Sequence, residues 1–166
     1  FTPSSTSGPG QPGVAGAALM DINSAKNANC NPVGTVGDLD GPFYSNIPVG
    51  TPLNMTFSGE ANKPILFIAG SILNPGVFDI SGSLPGAGQI DVGTALGGPP
   101  FVDVIVVADG TAPTFFDSLF NTGPTGVINF TLPQNFAPGT IFNFQAIIYN
   151  STTIIRTSNA VQLVII

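Results

Sequence analysis

The sequence predicts an all-β fold: an immunoglobulin-like or jelly-roll sandwich of about eight or nine strands, preceded by an extended N-terminal tail. Three observations lead there. Gly 21 and Pro 16 punctuate the 166 residues at short intervals, so almost no stretch carries helical periodicity. Several short segments alternate apolar and polar residues with the period of two that half-buries a strand. The longest apolar runs, such as Ile65–Ala69, are strand-sized and fall far short of the ~18 residues a membrane-spanning helix needs.

Residues 1–13 (FTPSSTSGPGQPG) are uncharged and rich in turn formers, and read as a linker or tail. A small-residue apolar segment follows, in which Val14, Gly16, Ala18, Met20 and Ile22 share one face if extended. The Asn-rich stretch 23–31 reads as loop. Leu53, Met55 and Phe57 alternate with Asn54, Thr56 and Ser58. Residues 65–69 suit a central strand, and 77–80 and 89–92 form short strands around a Gly-Ser-Leu-Pro-Gly turn. Residues 101–108 are strongly β-branched. Residues 114–121 fit a single helical turn. Ile128, Phe130 and Leu132 face one way, and Phe142, Phe144, Ala146 and Ile148 form the best inward face. Ser151-Thr152 is a turn between 142–148 and a short strand at 153–156, and 160–166 closes the chain. The division is then residues 1–31 as tail and candidate donor strand, and 32–166 as sandwich.

Charge excludes more than it suggests. Charged residues make up 7% of the chain and hydrophobic ones 43%, with net charge −6 and only Lys26, Lys63 and Arg156 as cations. An ordinary soluble domain carries about 25% charged residues. Phosphate binding needs clustered Lys and Arg, which removes nucleic acid as a partner. With no histidine there is no Ser-His-Asp or Cys-His arrangement, and one cysteine cannot build a zinc site. A glycosidase pair would have to come from eight aspartates and Glu60, of which Asp79, Asp91 and Asp103 sit in predicted strands on the outward phase. An enzyme is not expected, nor is a cofactor. Asp38-Leu39-Asp40-Gly41 resembles the opening of a calcium loop, so Asp38 and Asp40 are candidate ligands for a structural calcium. The later ligands are missing, and an acidic turn is the simpler reading. Cys30 is either an inert thiol or a disulfide between subunits in an oxidising compartment. Three sequons make Asn54, Asn129 and Asn150 glycosylation candidates, and Asn54 and Asn129 fall on polar strand faces.

The C-terminal strand, with Val161, Leu163 and Ile165 on one face, ends in Leu-Val-Ile-Ile. So apolar a strand is a hazard at a bare edge and must lie between two neighbours. If one position in the sandwich were vacant, with Val161, Leu163, Ile165, Phe142 and Phe144 as its acceptor and core, the segment Val14–Ile22 of another subunit would fill it. Backbone hydrogen bonds would hold that strand and alternate side chains would fill pockets. Such a contact is heterologous and propagates unless it closes a ring. Pairing of Val14–Ile22 within its own domain is the competing expectation.

Phe144-Gln145-Ala146, Ser158-Asn159-Ala160 before the strand 161–166, Gly50-Thr51-Pro52-Leu53 and Gly139-Thr140 together resemble secreted β-rich proteins of planctomycete-type bacteria, over about residues 50–166. The resemblance implies an exported β-sandwich and carries no catalytic motif. By architecture alone, the tail-plus-sandwich plan is similar to donor-strand pilins. The expected function is a structural subunit of an extracellular or cell-surface filament, a head-to-tail homopolymer with no membrane span. The alternative is a secreted adhesin or carbohydrate-binding module.

Overall fold

The computed structural model describes residues 18–23, 43–70, 73–79, 83–84, 87–93, 103–152 and 154–166. Among these residues ten strands run β1 (Ala18–Ile22), β2 (Phe43–Ile47), β3 (Leu53–Gly59), β4 (Ile65–Gly70), β5 (Leu73–Asp79), β6 (Gln89–Val92), β7 (Ile105–Asp109), β8 (Val127–Leu132), β9 (Ile141–Asn150) and β10 (Ile154–Ile165). One short helix, α1 (Phe115–Ser118), lies between β7 and β8. A three-stranded sheet of order β1-β3-β8 faces a five-stranded sheet of order β2-β10-β9-β4-β7, and β5 and β6 pair as a separate ribbon. Of the two sandwich types expected, this is the immunoglobulin-like order, with first, third and eighth strands in one layer and the last two strands beside the fourth in the other.

Period-two alternation carries the core. Ala18, Met20 and Ile22 of β1 and Leu53, Met55 and Phe57 of β3 face Ile65 and Phe67 of β4, Phe144, Ala146 and Ile148 of β9, and Val161, Leu163 and Ile165 of β10. Phe57 meets Phe67 edge-on at 5.1 Å, and Phe120 stacks on Phe130 at 4.6 Å. Such pairs add about 0.5–1.5 kcal/mol each beyond the area they bury. β10 lies between β2, to which it is parallel, and β9, to which it is antiparallel. The apolar C-terminal strand is thus covered on both edges, as its composition requires.

The ribbon lies on the outer face of the five-stranded sheet. There Ile90 packs with Ile68 and Ile147 in a second small cluster. Residues on both faces of β4 and β9 are therefore buried, and the outward-facing Asn143 and Gln145 are satisfied internally. The Asn143 Nδ2 donates to Gly70 O at 3.2 Å and the Gln145 Nε2 to Ser158 O at 2.8 Å.

Four expectations are corrected. The division at residue 32 does not hold, because β1 belongs to the sandwich and its inward side chains are part of the core. Residues 153–156 and 160–166 are not separate strands: β10 is a single strand from Ile154, whose register shifts between Thr157 and Ala160. The bulge absorbs Ser158 and Asn159 without ending the strand. Within the described part of the β-branched run the strand starts at Ile105, so Asp103 precedes β7 and lies outside it. β9 and β10 each have two sheet neighbours, so Phe142, Phe144, Val161, Leu163 and Ile165 offer no open strand edge; Phe144, Val161, Leu163 and Ile165 are core and Phe142 packs half-buried against it.

The bulge has a purpose visible in its hydrogen bonds. The Met20 N–H donates to Asn159 Oδ1 at 3.0 Å, and the Asn159 Nδ2 donates to Met20 O at 2.8 Å. One buried amide therefore grips the middle of β1 from the opposite sheet. Asn159→Ala strands two buried backbone groups of Met20, each worth about 1–3 kcal/mol when left unsatisfied. The expected loss of about 2–6 kcal/mol is read from the denaturant midpoint, and an unchanged midpoint would contradict the clamp.

Candidate assembly surface

The two ends of the sandwich are chemically alike and structurally different. At one end lie the start of β3, the end of β8, the start of β7 and the end of β10. Large apolar residues are exposed there: Ile105, Phe136, Ile141, Val49 and Ile166. The opposite end carries α1 and the turn between β9 and β10, with Phe115, Phe116, Leu119 and Ile154 exposed. Phe115 is 83% exposed and Ile154 65%.

Local chemistry fixes these protrusions. Thr114 caps α1, accepting from the Asp117 N–H at 3.1 Å, while the Asp117 carboxylate accepts from Thr114 Oγ1 and from the Asp109 N–H. Those hydrogen bonds hold the Asp117 carboxyl below its ordinary range, the Thr114 hydroxyl being the larger cause. Gly110 lets the chain turn beneath the helix: a Cβ there would stand 2.0 Å from Phe120 O and 2.8 Å from Ile65 N. Buried Phe120 then anchors the segment while Phe115 and Phe116 point outward.

The turn between β9 and β10 is tied down by Glu60, whose Oε2 accepts from Ser151 N and Oγ at 2.8 and 2.9 Å. Lys63 Nζ lies 3.3 Å from the other carboxylate oxygen. Ile154 follows with φ of 71°. A β-branched side chain in that region costs on the order of 1–2 kcal/mol.

At the first end an apolar cavity of about 280 Å³ opens between the sheets. It is lined by Leu53, Met55 and Leu132 from the smaller sheet and by Phe67, Ala69, Ile105, Val107, Phe142 and Phe144 from the larger, with Phe136 at its rim. Its origin is the mismatch of three strands against five. Among the described residues β8 has a neighbour only in β3, while Ile105 and Val107 of β7 line the facing wall.

The sequence-derived sites fall as follows. Ala18, Met20 and Ile22 pair with β3 of their own chain, Ala18 opposite Gly59 and Ile22 opposite Met55. They are not available for donation, because each is at most 1% exposed in its own core. Val14, Gly16, Cys30, Asp38 and Asp40 lie outside the described residues. Among the described residues no group of three Asp, Glu or Cys gathers to hold a metal. Asn54 and Asn129 are exposed and face each other's sequon across the ladder: Thr56 Oγ1 donates to Asn129 Oδ1 at 2.7 Å and Thr131 Oγ1 to Asn54 Oδ1 at 2.9 Å. Asn150 is only 6% exposed, with its Oδ1 accepting from Thr152 N and Oγ1, so it is a turn-forming residue and a poor glycan acceptor. Sequence reasoning missed the cavity altogether. Phe136, in a loop between strands, was the available signal.

Comparison with family models, curated proteins and solved structures gives no match. The likeness to secreted planctomycete-type proteins rests on the short motifs alone.

Two outcomes are expected. The hydrogen bonds from Ser151 hold the Glu60 carboxyl below its ordinary 4.5. Its stabilisation is complete above pH 4.5 and is lost as pH falls through the depressed folded-state value. Glu60→Gln therefore lowers the melting temperature at neutral pH, and the deficit closes on acidification. A deficit independent of pH would refute the role of the charge. Ile154→Asn, which tolerates the left-handed region, raises the folding stability by about 1 kcal/mol in chemical denaturation; a loss would refute the strain.

Proposed function

We propose that this chain is a structural subunit of an extracellular assembly, associating head to tail with copies of itself. The observation that carries the reading is the placement of exposed apolar side chains. Val49, Ile105, Phe136, Ile141 and Ile166 sit at one end and Phe115, Phe116, Leu119 and Ile154 at the other. Two unlike faces at opposite ends make a heterologous contact, which grows in one direction unless it closes. A surface so poor in ions suits burial between copies, since an interface core tolerates few charges. The leading segment is the donor of strand addition in this reading, now confined to the residues before β1. Export accords with the scarcity of charge and the single cysteine.

The carbohydrate-binding alternative gains nothing from the cavity, whose lining lacks the polar groups that fix a sugar.

Light scattering of the native protein is expected to report a distribution of sizes that grows with concentration, and negative-stain micrographs to show linear particles. Phe115→Ser is expected to raise the dissociation constant about tenfold or more, a loss of about 1.4 kcal/mol or more, while thermal unfolding stays unchanged because that side chain is 83% exposed. A monodisperse monomer at high concentration would end the proposal.

A further inference from the structure

Building on that head-to-tail reading, we infer that the cavity between β7 and β8 is an acceptor site, and that its occupant is Val14–Ala17 of a second copy. Three observations meet here. First, among the described residues the smaller sheet stops at β8. A strand added there, at the ordinary spacing of about 4.8 Å, would lie over β7, with its alternate side chains directed into the cavity. Second, the cavity is apolar on every side and holds about 280 Å³, nearly twice the ~150 Å³ that accommodates a benzene. Val14 with its small neighbours Ala15, Gly16 and Ala17 is chemically and sterically suited to it, and the whole stretch 1–17 carries no charged side chain.

Third, the chain outside the described fold leaves it in the right place. Ala18 is opposite Gly59, while the cavity lies at Leu53 and Leu132. Residue 17 therefore departs from the end remote from its own cavity, roughly 20 Å away along β3 at about 3.3 Å per residue. To reach that cavity the segment would have to reverse at once and cross both β3 and β8. In a head-to-tail pair it simply continues into the facing end of the next copy, where the cavity opens. Seventeen residues reach at most about 56–61 Å, enough to span the neighbour. Pro12 supplies no N–H and limits the paired stretch to the residues after it. The donated strand would run parallel to β8, since both proceed from the α1 end toward the cavity end.

The test uses full-length chains carrying Cys30→Ser. Val14→Cys and Ile105→Cys are introduced on separate chains, mixed and oxidised. A crosslinked dimer specific to the mixture is expected, and a chain bearing both substitutions should give a ladder on non-reducing gels. Without cysteines, Val14→Asp and Ile105→Asp should each weaken association about tenfold, and Ile105→Asp should leave the thermal unfolding transition in place because Ile105 is 65% exposed. A doubly substituted chain that crosslinks only within itself would overturn the inference. So would association lost with Phe115→Ser but untouched by Val14→Asp, which would assign the cavity to another occupant while leaving head-to-tail assembly standing. A wild-type chain that never associates would overturn both.

Discussion

The grip of Asn159 on Met20 decides what kind of sandwich this is. Among the described residues β1 has a single sheet neighbour, β3, and five residues of pairing are a weak anchor for an edge strand. The amide of Asn159 reaches across from the facing sheet and satisfies both the N–H and the C=O of Met20 in a buried place. Such groups are costly to leave unmet, so the clamp and the strand require each other. With β1 fixed, Ala18, Met20 and Ile22 complete the apolar layer over β9 and β10. The bulge that aims Asn159 is the local irregularity that makes this possible, a common use of bulges.

Much of this was legible in the sequence. The alternation in Leu53–Ser58 and Phe142–Ile148 marks the inward faces correctly because it is a local property, set by which side of a pleat each residue occupies. The covered position of Val161–Ile166 followed from composition. What was not legible depended on distant partners. Ser158-Asn159 looks like a break between strands, because the residue that Asn159 serves is 139 positions away. Asn143 and Gln145 read as solvent-facing, whereas the ribbon β5–β6 covers that face. Asn150 looks like any sequon until the turn buries it. The cavity arises from the difference in width between two sheets, which no single strand's pattern records.

The same unevenness connects the fold to its proposed role. A sandwich with equal sheets seals its core with its own strands. Here the flank beside β8 leaves Leu132, Phe67 and Phe144 within reach of a visitor, while capped α1 holds Phe115 and Phe116 out from the far end. Neither feature improves an isolated molecule: an open apolar cavity forgoes packing contacts, and exposed phenylalanines invite association. Both are accounted for if adjoining copies supply what each lacks.

The paired sequons of β3 and β8 carry a separate consequence. Each asparagine offers its carbonyl oxygen to the threonine of the other sequon, and both asparagines stand on the exposed face of the ladder. A sugar attached at either residue would spring from a stiff two-stranded base at a fixed height and angle. Repeated along a row of subunits, it would decorate one side at regular intervals and leave the joints bare.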